Sequence, residues 1–283
     1  MSLSIEQQIK ALKASIFQIT SHQTGGKRAK RDLALCIFMK FNLGVMLNQL
    51  VARYRHYGAT DLELSEHVFI DDTYICLDAK LFSSIDLAAL ARSAQIYKEV
   101  VEALPAFSDV LHSLIEDIWL DDQKGNGLGQ YLTPPDLANL IGNLIDVSES
   151  NRDKRTKPYV IHDDCSGAGS LTLPAAQREA RVGRHRTQLL NLMVNDIDPL
   201  MCCAAALQFV SSMVVHEHDL HQLRVICSNA LTETKPNSKS MVVIKTPEKV
   251  LLNVKLAHDQ HMHEKLQLFK HMNSLTNRIL NKS

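Results

Sequence analysis

Ile5, Ile9, Leu12, Ile16 and Ile19 recur at helical spacing, so the chain opens with an amphipathic helix that Thr24-Gly25-Gly26 ends. The basic run Lys27-Arg28-Ala29-Lys30-Arg31 leads into an apolar stretch, Leu33 to Leu50, that reads as a largely buried helix. Val68-Phe69-Ile70 and Thr73-Tyr74-Ile75-Cys76 flank Asp71-Asp72 and suggest a small hairpin. Ile85 to Leu104 predicts a helix stopped by Pro105, and Phe107 to Leu120 another, carrying the single tryptophan, Trp119. Beyond Gly129 the pattern changes. Short apolar runs at Val160-Ile161, Gln188 to Val194, Val225-Ile226-Cys227 and Met241 to Ile244 alternate with helical stretches through about Arg181 and over Leu200 to Met213. Strands alternating with helices predict βαβ units and a parallel sheet.

The expected architecture is therefore α/β: an incomplete Rossmann-like sheet behind a mostly helical N-terminal domain. Boundaries follow the pattern: a helical domain over 1–120, a linker over 121–135, the α/β domain over 136–248 and a helical tail over 249–283. The 283 residues suffice for one large or two modest domains. Formal net charge is zero, so nucleic acid would have to be met by local basic patches: the Lys27 run, or Arg178, Arg181, Arg184 and Arg186. Each patch also reads as ordinary solvated surface. Six cysteines without Cys-x-x-Cys spacing read as reduced thiols, and neither a signal peptide nor a bilayer-spanning run stands out. A cytoplasmic protein without a membrane partner is the expectation.

The chemistry concentrates at the strand ends. Val160-Ile161-His162-Asp163-Asp164-Cys165-Ser166-Gly167-Ala168-Gly169 reads as a strand ending in an acid, then a small-residue turn, then a helix start whose free amides can face a ligand. The second strand ends in Asn195-Asp196-Ile197-Asp198-Pro199. There the Asp196 carboxylate can accept from ribose hydroxyls or cap the next helix, a role that suits Asp198 better. Asn229 after the third strand can meet an adenine edge or stabilise a turn. Asp163 can meet an ammonium. A nucleoside joined to a cationic amino acid describes S-adenosylmethionine. His216, His218 and His221 can be spaced for a metal, but the reading adopted is no metal site.

These residues resemble the adenine-specific (N6) DNA methyltransferases, particularly the modification subunit of type I restriction systems. Gly129-Gln130-Tyr131-Leu132-Thr133-Pro134 resembles the family's G-Q-[FY]-x-T-P motif, and Asp163 to Gly169 its glycine loop. Asn195 to Pro199 resembles its G-x-[DE]-I-D-P motif, and Ser228-Asn229-Ala230-Leu231 its G-[DN]-x-L step. The resemblance implies S-adenosylmethionine as cofactor, held by Tyr131, Thr133, Pro134, Asp163, Gly167, Gly169, Asp196 and Asn229. It implies DNA as substrate, with a partner methylase or specificity subunit.

The fourth strand departs from that pattern. Where the family carries [ND]-P-P-[FY], whose polar group accepts from the target amine and whose ring stacks on a flipped base, this chain has Lys245-Thr246-Pro247-Glu248. A lysine ammonium has donors and no acceptor, and Glu248 has no stacking face. No Asn-Pro-Pro-aromatic string occurs anywhere. No residue is therefore assigned to catalysis. Three readings follow: a DNA methyltransferase or its remnant; a non-catalytic regulatory or partner subunit that keeps the cofactor half; a methyltransferase with a non-DNA substrate.

Overall fold

The computed structural model describes residues 4–120, 133–134, 136–138, 140–141, 155–232, 240–260, 262, 264 and 267. Helix α1 (Ile5–Gln18) starts in a reciprocal cap: Ser4 Oγ accepts from the Gln7 N–H, and the Gln7 side chain accepts from the Ser4 N–H. Helix α2 (Lys27–His56) begins at the basic run, as expected of a helix start, and Arg31 lies over the Phe17 ring at 4.6 Å. No bilayer-spanning run stands out in the sequence, yet α2 is long and apolar enough to qualify by length and composition. More than half of that window, 56%, is buried inside the molecule, where α2 packs along the central helix described below. Its apolar positions therefore serve a protein core.

Helix α3 (Asp61–His67) leads into β1 (Val68–Ile70). No hairpin forms here: Asp72–Tyr74 is a single 3₁₀ turn, capped by Asp71 accepting from the Thr73 N–H, and β1 pairs elsewhere. Helices α4 (Ala79–Ser83), α5 (Leu87–Ala103) and α6 (His112–Leu120) complete the N-terminal part. The third of these starts later than the apolar pattern suggests. Phe107 sits at φ 59°, outside right-handed helix, and Asp109 accepts from the His112 N–H.

The α/β part contains β2 (Tyr159–Asp163), α7 (Thr172–Val182), α8 (Arg184–Thr187) and β3 (Leu190–Asp196). It continues with α9 (Pro199–Val215), β4 (Gln222–Cys227), β5 (Ser240–Lys245) and a helix over 248–260, α10. Every residue of α9 from Met201 to Met213 is buried, and the run Ala204-Ala205-Ala206 lets neighbours approach closely. It is the axis of the molecule, with α2 and α5 on one side and β3 and β4 on the other.

The sheet order is β1-β5-β4-β3-β2. Strands β2, β3 and β4 are parallel, as the βαβ pattern demands. Strand β5 is not: it runs antiparallel to β4, with Lys245 opposite Gln222 and Ile244 opposite Leu223, and β1 pairs antiparallel to it in turn. Leu192, Leu223 and Ile244 lie in register on the face buried against the helices. Val160 and Phe69, on the opposite face, are 60% and 54% exposed. The result is an incomplete Rossmann-like sheet beside a helical N-terminal region, with β2 at its edge among the described strands.

Candidate cofactor site at the strand ends

The three parallel strands bring Asp163, Asp196 and Cys227 to one end of the sheet, since Asp163 pairs with Val194 and Asp196 with Cys227. Asp163 closes β2 on itself, its Oδ1 accepting from the Cys165 N–H at 3.2 Å. Its Oδ2 is buried and has no partner. Burial pushes this carboxyl above the usual range, against the Cys165 N–H and with help from the Asp164 and Asp196 carboxylates. His162 pairs with Asp164 at 2.9 Å.

The turn that follows depends on two glycines. Gly167 has φ 53° and Gly169 φ 95°, both in the left-handed region. A Cβ on Gly169 would also meet the Phe209 ring of α9 at 3.3 Å. The turn's amides are mostly committed within the protein. The Ser166 N–H donates to the Asn195 carbonyl at 2.9 Å, the Gly169 N–H to the Ser166 carbonyl at 2.8 Å, and the Thr172 and Leu173 N–H groups to the Gly169 carbonyl. The Gly167 N–H donates to Asp196 Oδ2 at 2.8 Å. The start of α7 therefore offers fewer free amides than the sequence pattern suggests.

Asp196 does double duty. Its Oδ2 holds Gly167 and its Oδ1 accepts from the Asp198 N–H at 2.9 Å, so it ties the two loops together. Each oxygen keeps a further lone pair. The helix cap belongs to Asp198, which accepts from the Leu200 N–H at 2.8 Å, with Pro199 in the first turn. Asn229 Oδ1 accepts from the Leu231 N–H at 3.0 Å, the turn-stabilising alternative, which leaves its amide nitrogen for other contacts. Ile197 (50% exposed) and Leu231 (90% exposed) give this end an apolar surface.

Thr133 is half-buried and Pro134 exposed; the Pro134 carbonyl accepts from the Ala138 N–H, starting a helical turn. Ala138 and Ser170, the residue after Gly169, line one cavity of about 300 Å³ with Asp109 and Gln177. Ala138 and the residue after the glycine turn therefore border the same cavity, while Thr133 and Pro134 are not among its lining residues. Tyr131 lies outside the described residues.

Three supporting side chains were given no role by the sequence, although Asn195 opens the Asn195 to Pro199 motif. Asn195, buried, donates to the Asp164 and Ser228 carbonyls and accepts from Ser228 Oγ at 2.8 Å, locking three loops. Gln208 on α9 accepts from the Val110 and Leu111 N–H groups and donates to the Ala168 carbonyl, fixing the turn from below. Asp109 accepts from Ser170 Oγ at 2.9 Å. Their one signal is an amide or acid inside an otherwise apolar run.

The remaining candidates are engaged elsewhere. Arg186 is not part of a surface patch: it is buried in an ion pair with Glu179 at 2.8 Å, which also accepts from the Tyr159 hydroxyl. Arg181 donates to Gln177. His216 bonds the Val101 carbonyl, while burial lowers His218 to about 4 with Arg184 nearby. Lys245 and Thr246 stand at the amino ends of the parallel strands, the far end from Asp163, because β5 runs the other way. Thr246 is buried there, its hydroxyl donating to the Leu220 carbonyl and pairing with the Tyr54 hydroxyl.

An acid with a buried, unpartnered oxygen, an acid with spare lone pairs, a free amide and an apolar surface suit a ligand with cationic, hydroxylic and flat apolar parts. No curated protein matches the chain. Among solved structures, the type I restriction-modification system methyltransferase subunit from Streptococcus thermophilus is 16% identical, with a TM-score of 0.44 over 84% of this chain and 61% of that one. The chain therefore spans 61% of that subunit's length. The family model described as N-6 DNA Methylase matches residues 105–268, more than half of the sequence. The chain belongs to the N-6 DNA methylase family.

Proposed function

We propose that the ends of β2, β3 and β4 bind S-adenosylmethionine, and that this chain alone does not methylate adenine. The observation that carries the first part is the unpartnered, buried Asp163 Oδ2. A buried acceptor without a donor is costly, and the ammonium of the cofactor's amino acid would satisfy it. Spare lone pairs on Asp196 would take the ribose hydroxyls, and the Asn229 amide with Ile197 and Leu231 would take the adenine. Gly167 and Gly169 shape the turn, while the segment with Tyr131, Thr133 and Pro134 would flank the methionine. When bound, the cofactor supplies an electrophilic methyl on its sulfonium sulfur.

Methyl transfer needs an acceptor for the target amine's protons beside that methyl. The segment that follows the fourth apolar strand, where the family keeps such a group, lies at the opposite end of the sheet. This favours a partner-subunit reading: DNA and a second chain with the Asn-Pro-Pro-aromatic string would complete the site. Calorimetric titration of the purified chain with S-adenosylmethionine should give one site, lost in Asp163→Asn. Radiolabelled methyl transfer to unmethylated DNA should stay at background. No binding removes the first claim; robust transfer by the chain alone removes the second.

A further inference from the structure

At the other end of the sheet lies a cavity of about 520 Å³, within the range of small-ligand sites. It is bounded by the α7–α8 turn, His218 before β4, and helix α10. Its polar lining is rich in donors: Arg184, His185, Gln188, Lys255 and His258, against one carboxylate, Asp259. Val182 and Val254 supply apolar wall.

Local geometry holds these donors in place. Gly183 has φ 145°, and a Cβ there would come within 3.1 Å of His185 Nδ1. Only glycine lets the His185 ring fold back over the turn. Glu217 sits at φ 55°, a conformation non-glycine residues seldom adopt, and its carboxylate pairs with Arg184 Nη2 at 3.2 Å. Arg184 Nη2 also donates to the His216 carbonyl at 3.4 Å. A strained residue thus anchors the guanidinium beside the cavity. Lys255, by contrast, is exposed on α10 and free to close on a ligand.

We propose that this cavity binds a small organic phosphate. Arg and Lys offer donors and no acceptors, so the lining calls for an acceptor-rich ligand. A phosphate monoester presents three terminal oxygens to donors arriving from two sides, where a carboxylate presents two. The apolar wall accommodates the carbon skeleton it is attached to. The site stands apart from the proposed cofactor site and does not depend on it.

The test is calorimetric titration of the full chain at constant ionic strength with inorganic phosphate, ribose 5-phosphate, ribose and acetate. Both phosphate probes should bind at one site, ribose 5-phosphate the tighter, with ribose silent and acetate at least about tenfold weaker. Lys255→Glu and His258→Ala, both at exposed positions, should each weaken phosphate binding by about tenfold without lowering Tm. Silence of both phosphate probes, acetate binding as tightly as phosphate, or binding unchanged in Lys255→Glu each overturns the proposal.

Discussion

Replacing Asp196 by Asn separates two roles for one carboxylate. If it serves only as a ligand acceptor, the substitution leaves the free protein unchanged. The structure gives it internal work: Oδ2 accepts from the Gly167 N–H at 2.8 Å and Oδ1 from the Asp198 N–H at 2.9 Å. An amide has one carbonyl oxygen and one NH₂ group, so Asn can serve only one of these donors. The other N–H then faces a donor. A backbone donor left unsatisfied, together with a lost charge-assisted bond, costs about 1–3 kcal/mol when buried. Asp196 is only half-buried, so water recovers part of this and the lower half of that range applies, about 1–2 kcal/mol. For a chain of this size that is a fall in Tm of about 2–8 °C, measured by calorimetry without ligand. Asp196→Ala, which serves neither donor, should fall further. A Tm for Asp196→Asn unchanged within about 1 °C, with S-adenosylmethionine binding abolished, would refute the clamp and leave a pure ligand contact.

Two further outcomes are expected. Because burial raises the Asp163 carboxyl, the folded chain holds a proton the unfolded chain has released, so this group's contribution makes stability fall as pH rises from the ordinary carboxylate range through the raised pKa; an ammonium ligand needs the ionised form, so binding should release protons in that window, seen as a buffer-dependent binding heat that Asp163→Asn lacks. Grafting the family tetrapeptide in place, as Lys245→Asn, Thr246→Pro and Glu248→Tyr, should not create methyl transfer, read by radiolabel on unmethylated DNA, and should lower Tm, because Thr246→Pro removes a buried hydroxyl bonded to Tyr54 and Leu220 and an N–H that donates to the His221 carbonyl.

Much of the α/β part was legible because period and punctuation agreed. The apolar run ending at Asp163, the two glycines and the Asp198-Pro199 cap each declare local structure, and each forms where the pattern puts it. What failed was long-range. The segments around Asp71 look like a hairpin because both flanks are β-prone, but a strand's partner is chosen by tertiary packing: β1 finds β5, with Val68 opposite Ile244 far along the chain, and Asp72–Tyr74 collapses into a turn. The arginines from Arg178 to Arg186 look like one patch because spacing says nothing of depth. Arg186 turns inward to Glu179, a pairing that three residues of helix and a turn arrange without any sequence signature.

The direction of β5 is the case with most bearing on function. Its residues, Met241 to Ile244, are equally apolar whichever way the strand runs, so sequence specifies a strand and not its sense. Sense is set by connection. Between β3 and β4 stands α9, a whole helix, and a helical crossover returns the chain to the same end of the sheet, giving a parallel pair. Strands β4 and β5 pair antiparallel, with Ile226 opposite Ser240, and the chain arrives at Lys245 beside Gln222, at the end of the sheet away from Asp163. The same four-residue string therefore means different things in the two arrangements. After a parallel fourth strand it would border the cofactor end. Here its Thr246 joins Tyr54, Asp219 and Arg53 in a buried network between α2 and the sheet, with Asp219 fully buried and paired to Arg53, while Lys245 and Glu248 are exposed. Thr246 is the residue that network requires, and a proline at this position would have no hydroxyl to give Tyr54 or the Leu220 carbonyl.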